Sequence, residues 1–136
     1  DLDRLSMEIE SYSDEKNLWL VPGNISNSAG NLTLHLICNL FNFVAKEIGR
    51  FDYNRDREFE FKGKNIPLKD LLNHLEKCKH QLIVRLEGLD SSLLDQDYPI
   101  EVLGTKTSYS YILIHLYGHL NYHLGQINYH RRMLDK

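Results

Sequence analysis

The last third of the chain contains a long helical pattern in which histidines recur every four residues. His115, His119 and His123 lie in the run ILIHLYGHLNYHLGQINYHRR, which ends at Arg132. Residues four apart stack one turn above another on an α-helix, so these imidazoles share one face. Apolar residues on the same side predict that this face points into the protein: Ile112, Leu116, Leu120 and Ile127.

Buried histidines need polar partners, because an unpaired polar group is costly to remove from water. A divalent metal ion is one such partner, since neutral imidazole is the commonest metal ligand in proteins. His35 lies far upstream in an equally apolar helical run, NLTLHLICNLF, and is the candidate third ligand. The alternative is that the histidines are ordinary core residues, since an HxxxH pair also arises by chance. The residues between His119 and His123 are LNY, so the HExxH motif of zinc proteases, with its glutamate base, is not present.

Composition narrows the class of protein. A length of 136 residues favours a single domain, 1–136, that buries about two thirds of its unfolded surface. The net charge is −3 with acidic and basic residues interspersed, so the basic face that nucleic-acid binding requires is not expected. Cys38 and Cys78 form no CxxC pair, which favours a reduced, cytoplasmic setting. No apolar run is long enough for a transmembrane helix and no signal peptide is recognisable, so no membrane association is expected.

Four amphipathic patterns predict four long helices. Their predicted ranges are about Leu2 to Ser13, from Ser26–Ser28 to Ile48, from Pro67 towards Gly88, and about Thr107 to Leu134. The inner face of the second helix is expected to carry Leu32, His35, Leu36, Asn39, Leu40 and Phe43. The order and length of the patterns predict an all-α, up-down four-helix bundle with long inter-helix connections.

Two connections are long. Between the second and third helices, the alternating segment Glu58–Lys62 predicts either a short hairpin or an ordered loop that packs Phe59 and Phe61 onto the bundle. Asp90–Lys106 reads as an irregular connection, and such segments often border a site.

Two blocks of sequence resemble the DinB/YfiT-like superfamily. The run NSAGNLTLHL, followed by Asn39 and Leu40, is similar to the second helix of that family, and HLNYHLGQI is similar to its last helix. The segment Arg55–Phe59 also resembles an inter-helix segment of some members, so the resemblance covers essentially the whole chain. Members are four-helix bundles that hold a divalent metal, often nickel or zinc, through three histidines. The resemblance therefore implies that His35, His119 and His123 are the metal ligands.

The same resemblance implies a function. Three neutral histidines leave open coordination positions, as in catalytic rather than structural metal sites. Relatives include thiol S-transferases and metal-dependent hydrolases, which implies a reaction on a small electrophile, with a low-molecular-weight thiol as one candidate partner. This chain carries Leu124 where many relatives have an arginine, so an anion contact that would help bind a thiol is missing.

The alternative is a non-catalytic metal-binding protein with a stress or interaction role, and whether the chain is an enzyme is left open. A pocket over the open metal face would favour the enzyme.

Other residues near the histidines are expected either to take part in the site or to have a structural role. His115 is either a hydrogen-bond donor beside the site or an alternative ligand. Cys38, three residues after His35, is either within reach of the metal or a packed core residue, and packing is favoured because free cysteine is usually buried. Asn39 and Gln126 are expected to bond either to site histidines or substrate, or to backbone and neighbouring helices. Gly118 and Gly125 lower helix stability, which predicts close approach of another helix.

The aromatic residues of the last helix predict a homodimer. Tyr109, Tyr117 and Tyr129 are spread around the helix axis, so not all of them can point inward with the histidines. Tyr122, His130 and Arg131 are likewise expected at the surface or an interface. The alternative is that the rings lie beneath the long connections. His74 and His80 are expected to be solvated.

Overall fold

The computed structural model describes residues 1–102 and 104–135 and contains four long helices and one short helix. The helices are α1 (Leu2–Glu10), α2 (Ala29–Leu40), α3 (Arg57–Lys62), α4 (Leu68–Glu87) and α5 (Tyr109–Leu134). A π-helical stretch, Phe41–Lys46, extends α2, and short 3₁₀ turns span Glu15–Trp19 and Ser91–Leu93. The prediction of an all-α protein with four main helices packed together is confirmed.

The helix α2 lies at the centre of the molecule. Its first turn is capped by Ser28, whose hydroxyl accepts a hydrogen bond of 3.1 Å from the backbone N–H of Asn31. All twelve of its residues are buried, because α1, α3, α4 and α5 all contact it. The predicted inner face is therefore correct but incomplete, since the opposite side of α2 is covered as well.

The other long helices bury the apolar stripes that the sequence predicts. Buried residues on these stripes are Leu5, Ile9, Leu71, Leu75, Cys78, Leu82, Ile112, Leu116, Leu120 and Ile127. Full burial of a leucine or isoleucine side chain stabilises a fold by about 1.5–3 kcal/mol, so these stripes hold α1, α4 and α5 around α2. The predicted ends differ, since α1 stops at Glu10 and the π-helical extension of α2 stops at Lys46.

The segment around Phe59 and Phe61 is neither a hairpin nor a loop. It forms α3, because the Asp56 carboxylate accepts a hydrogen bond of 2.9 Å from the N–H of Phe59 and caps a helical turn. The residue that α3 buries completely is Glu60, whereas Phe59 is exposed. The alternation of glutamate and phenylalanine suggested a strand, but the inward side chain is polar and has partners inside the protein.

The connection Asp90–Lys106 packs at the far end of α2. The hydroxyl of Tyr98 donates to the carbonyl of Phe43, and the N–H of Tyr98 donates to the Thr107 carbonyl at 2.8 Å. Of its described residues, none joins the histidine cluster or groove described below, so the expectation that this connection borders the site is wrong. Within residues 1–102 and 104–135, no helix is both long enough and apolar enough to cross a membrane.

Candidate metal centre

Three histidine side chains meet between α2 and α5. His35 Nε2 lies 3.2 Å from His119 Nε2, and His123 Nε2 lies 3.0 Å from the same atom. His35 is buried, while His119 and His123 are half-buried. The candidate ligand atoms of the three residues all lie within 4.8 Å of one another, so the cluster could hold one metal ion. The predicted convergence of these side chains is confirmed, and the ion itself stays a prediction.

Hydrogen bonds on the outer nitrogens orient two of the rings. His35 Nδ1 lies 2.8 Å from Glu60 Oε2, and His123 Nδ1 lies 2.7 Å from Gln126 Oε1. A carboxylate or amide oxygen only accepts, so both Nδ1 atoms donate, and in a neutral ring Nε2 then carries a lone pair. Both lone pairs belong to the atoms that face His119. The sequence left the role of Gln126 open, and the structure places it against His123.

The three Nε2 atoms are better arranged to bind one cation than to form hydrogen bonds with one another. A hydrogen on His119 Nε2 can bond well to only one of the two neighbouring acceptors. A single cation can instead accept lone pairs from all three Nε2 atoms, and imidazole nitrogen suits zinc and nickel. A histidine that binds a metal usually donates its other N–H to a carboxylate or carbonyl oxygen, which His35 does with Glu60.

The protonation states are consistent with this reading. Burial and, to a smaller extent, the neighbouring His123, His35 and His115 together lower the pKa of His119 to about 4. Burial also lowers the pKa of His35, and this effect outweighs the opposing influence of Glu60. Both rings are therefore neutral near pH 7, which is the form that binds metals.

Arg55 and Glu60 form an ion pair behind His35 that the sequence reasoning missed. Arg55 Nε donates to Glu60 Oε1 at 2.6 Å, and Arg55 Nη2 donates to Glu60 Oε2 at 2.9 Å. Burial raises the pKa of Glu60, but the hydrogen bonds and charges of Arg55 and His35 outweigh burial and lower it. The two residues are five apart in sequence, and that spacing alone does not distinguish a buried pair from a solvated one.

The other candidate residues lie outside the cluster. His115 is exposed, with its ring stacked on that of His119 at a centroid distance of 6.3 Å. Cys38 is buried, and burial raises the pKa of its thiol despite the opposing influence of Tyr53. Asn39 is buried, and its Oδ1 atom has no hydrogen-bond partner among the described residues.

His130 is buried within the chain, which corrects the prediction that it lies at the surface or an interface. Its Nε2–H donates to the Leu20 carbonyl at 2.9 Å, so Nδ1 accepts from the hydroxyl of Tyr12 at 2.7 Å. His130 thereby ties α5 to the segment that follows α1. The exposed positions of Tyr122, Tyr129, His74 and His80 agree with the sequence prediction.

A groove of about 530 Å³ begins at His123. Its walls come from the connection before α2, from α2 itself and from the second half of α5: Pro22, Ile25, Ser26, Asn27, Leu32, Tyr122, His123, Gln126, Tyr129, His130, Met133 and Leu134. No lysine, arginine, aspartate or glutamate is among these described lining residues. The site therefore combines a histidine cluster with a largely apolar, uncharged groove. The volume of the groove is typical of small-molecule pockets.

No model of a known protein family and no curated protein matches the chain. The resemblance to the DinB/YfiT-like superfamily therefore rests only on the sequence segments described above.

Proposed function

We propose that the chain binds one divalent metal ion, nickel or zinc, through His35, His119 and His123 and acts as a metal-dependent enzyme on a small electrophile. The observation that carries the proposal is the convergence of three histidine side chains, one of which, His123, also lines a groove large enough for a small molecule. An ion held in this way lowers the pKa of bound water or thiol and polarises a substrate oxygen.

The groove would bind and orient the substrate. Leu32, Ile25 and Met133 provide apolar walls against which the uncharged part of a substrate would pack next to His123. Gln126 keeps the His123 ring in place through its hydrogen bond to Nδ1. Both nitrogens of His130 are engaged and no carboxylate lines the groove, so the described lining residues supply no general base.

Between the two reactions that the family resemblance implies, hydrolysis of an uncharged electrophile is favoured. The described lining residues include no lysine or arginine to bind an anionic thiol. Leu124, at the position where many members of the resembled family carry an arginine, is buried in the core and adds no charge. Thiol transfer is the second candidate and needs a thiol that the uncharged groove accepts.

The test begins with metal content. Protein purified without a nickel column and dialysed against zinc or nickel should contain one ion per chain, and His123→Ala should lose it. No uptake by the wild-type protein would exclude the metal site. The matched control is His115→Gln, which removes an imidazole of α5 outside the cluster and should retain the ion.

Activity is then measured on the loaded protein with an uncharged aryl ester, and with an aryl halide in the presence and absence of a small thiol. Ester cleavage that His123→Ala abolishes would support a hydrolase. Turnover only with thiol would support a transferase. A protein that binds one ion but turns over neither substrate class would favour the non-catalytic alternative.

A further inference from the structure

The short helix α3 is fixed to α2 by side chains rather than by its own stability. Six residues are too few to form a stable isolated helix. The side chain of Asn31 donates from Nδ2 to the carbonyl of Glu60 at 3.0 Å and to the carbonyl of Gly63 at 2.8 Å. These bonds, together with the Asp56 cap, hold the backbone of Glu60 at a defined position beside His35.

Glu60 is fully buried, which is unusual for a glutamate. Burial of a carboxylate costs free energy unless charged or polar partners compensate for the loss of water. Apolar residues at such a position often give a fold of equal stability. Three donors converge on this one: two nitrogens of Arg55 and Nδ1 of His35. Arg55 holds both oxygens, so the carboxylate presents Oε2 to His35 in one orientation.

We infer that Glu60 is a positioning residue for the proposed metal site, holding His35 as the Nδ1–H tautomer with Nε2 turned towards His119, and that Arg55 holds Glu60. This inference rests on the proposed metal binding for its purpose, but the tautomer of His35 can be measured without any metal. The Phe61 ring, at a centroid distance of 5.1 Å from His35, packs against the same imidazole and limits its rotation. The segment from Arg55 to Phe61 is therefore part of the site.

The alternative is that the Arg55–Glu60 pair only stabilises the fold. The two roles differ in what they change, because a purely structural pair would alter the free energy of unfolding but not the tautomer of His35 or the metal affinity of folded protein. Removal of an outer hydrogen-bond partner of a metal-binding histidine typically weakens metal binding about 10- to 100-fold.

The experiment compares wild-type protein with Glu60→Gln and Arg55→Lys. Imidazole nitrogen shifts in NMR spectra of metal-free protein report the tautomer of His35, and competition with a chromophoric chelator reports the zinc affinity. In Glu60→Gln we expect a mixture of tautomers and zinc binding weakened about 10- to 100-fold. Arg55→Lys keeps the positive charge but cannot form the bidentate contact with Glu60, and should have a smaller effect in the same direction. If Glu60→Gln does not fold, Arg55→Lys supplies both readouts.

The matched control is Glu8→Gln, which breaks a partly buried pair with Arg131 between α1 and α5. It should leave both the tautomer and the zinc affinity unchanged. An unchanged tautomer and zinc affinity in the folded Glu60 and Arg55 variants would overturn the role of Glu60. Wild-type protein that takes up neither zinc nor nickel would instead overturn the proposed function.

Discussion

At the scale of single residues, the site depends on which nitrogen of each histidine is free. His35 and His123 use Nδ1 for a hydrogen bond and direct Nε2 to the cluster, whereas His130 uses both nitrogens and has none to spare. The residue type alone therefore does not identify a ligand. His115 and Cys38, which lie near the cluster in sequence, do not join it.

The first prediction treats His115 and Cys38 as bystanders. Cys38→Ala and His115→Gln should keep the metal stoichiometry of the wild-type protein. Cys38→Ala should still lower the free energy of unfolding by about 1–3 kcal/mol, because the buried thiol packs in the core. Metal analysis and urea denaturation of metal-free protein measure the two effects. Loss of metal from Cys38→Ala as complete as from His123→Ala would show that the assigned ligand set is wrong.

The second prediction concerns acid stability and His130. Burial lowers the pKa of His130 and outweighs the hydrogen bond to Leu20, so the unfolded chain binds more protons than the folded one as the pH falls. The stabilisation is fully present above the unfolded pKa of about 6.5 and is lost as the pH falls towards the lower folded pKa. The free energy of unfolding should therefore fall between pH 7 and pH 5.

The lowered pKa values of His35 and His119 also reduce the free energy of unfolding as the pH falls. The contribution of His130 is therefore measured as the difference between a variant and the wild-type protein. Urea denaturation of metal-free His130→Gln should show a smaller fall over this range than the wild-type protein. The matched control is His74→Gln, which removes an exposed imidazole of α4 and no buried contact. Equal pH slopes for His130→Gln and wild type would refute the prediction.

At the scale of elements, α2 and α5 differ in how much of their surface is buried. All residues of α2 are buried, whereas α5 leaves one side open to solvent, including Gly118 and Gly125. The prediction that these glycines mark close helix approach is wrong within this chain, since a Cβ added at either position would meet nothing within 4 Å among the described residues. Gly30 is a glycine that does need its small size, because an added Cβ would lie 2.7 Å from the Trp19 ring.

The third prediction is a matched pair of glycine substitutions. Gly118→Ala should raise the free energy of unfolding by about 0.5–1 kcal/mol, because alanine is the better helix former and the space is open. Gly30→Ala gains the same propensity but must displace a buried indole, and should lower the free energy of unfolding by about 1–3 kcal/mol. Urea denaturation measures both. Equal signs for the two substitutions would contradict the packing of Trp19 on α2.

At the scale of the whole molecule, the open side of α5 presents large apolar side chains. Ile114 is 71% exposed, Tyr117 63% and Tyr129 70%, so the explanation that long connections cover these rings does not hold for Tyr117 and Tyr129. It holds for Tyr109, whose ring packs edge-on against Tyr98 at a centroid distance of 5.4 Å. Exposed apolar and tyrosine side chains along one helix suit a twofold interface.

The fourth prediction is that the chain forms a homodimer through this side of α5. Analytical ultracentrifugation at micromolar concentration should give twice the 16.0 kDa mass of one chain. Ile114→Glu should shift the mass to that of one chain, because two buried carboxylates would face each other near the twofold axis. Ile83→Glu changes an exposed isoleucine of α4 and should leave the dimer intact. A wild-type mass of 16.0 kDa would exclude the dimer.

The spacing of apolar and polar residues alone predicts the four long helices and the inward direction of His35, His119 and His123, whereas His115 on the same predicted face is exposed. Both are local properties, since the spacing of apolar residues records which side of a helix is buried and a four-residue spacing places His119 beside His123. The burial of Ile112, Leu116 and Leu120 follows from the same pattern. His35 could be named as a candidate because its own run is equally apolar.

The completion of the site depends on contacts between segments that are distant in sequence. His35 is 84 residues from His119, and their contact depends on how α2 crosses α5. The helical state of α3, the burial of Glu60 and its pairing with Arg55 depend on partners in α2. The alternating pattern of this segment does not reveal those partners, so it wrongly favoured a hairpin or a loop. The groove likewise joins residues near Ile25 to the end of α5. Contacts between distant segments depend on the packing of whole helices, and local periodicity contains no information about that packing.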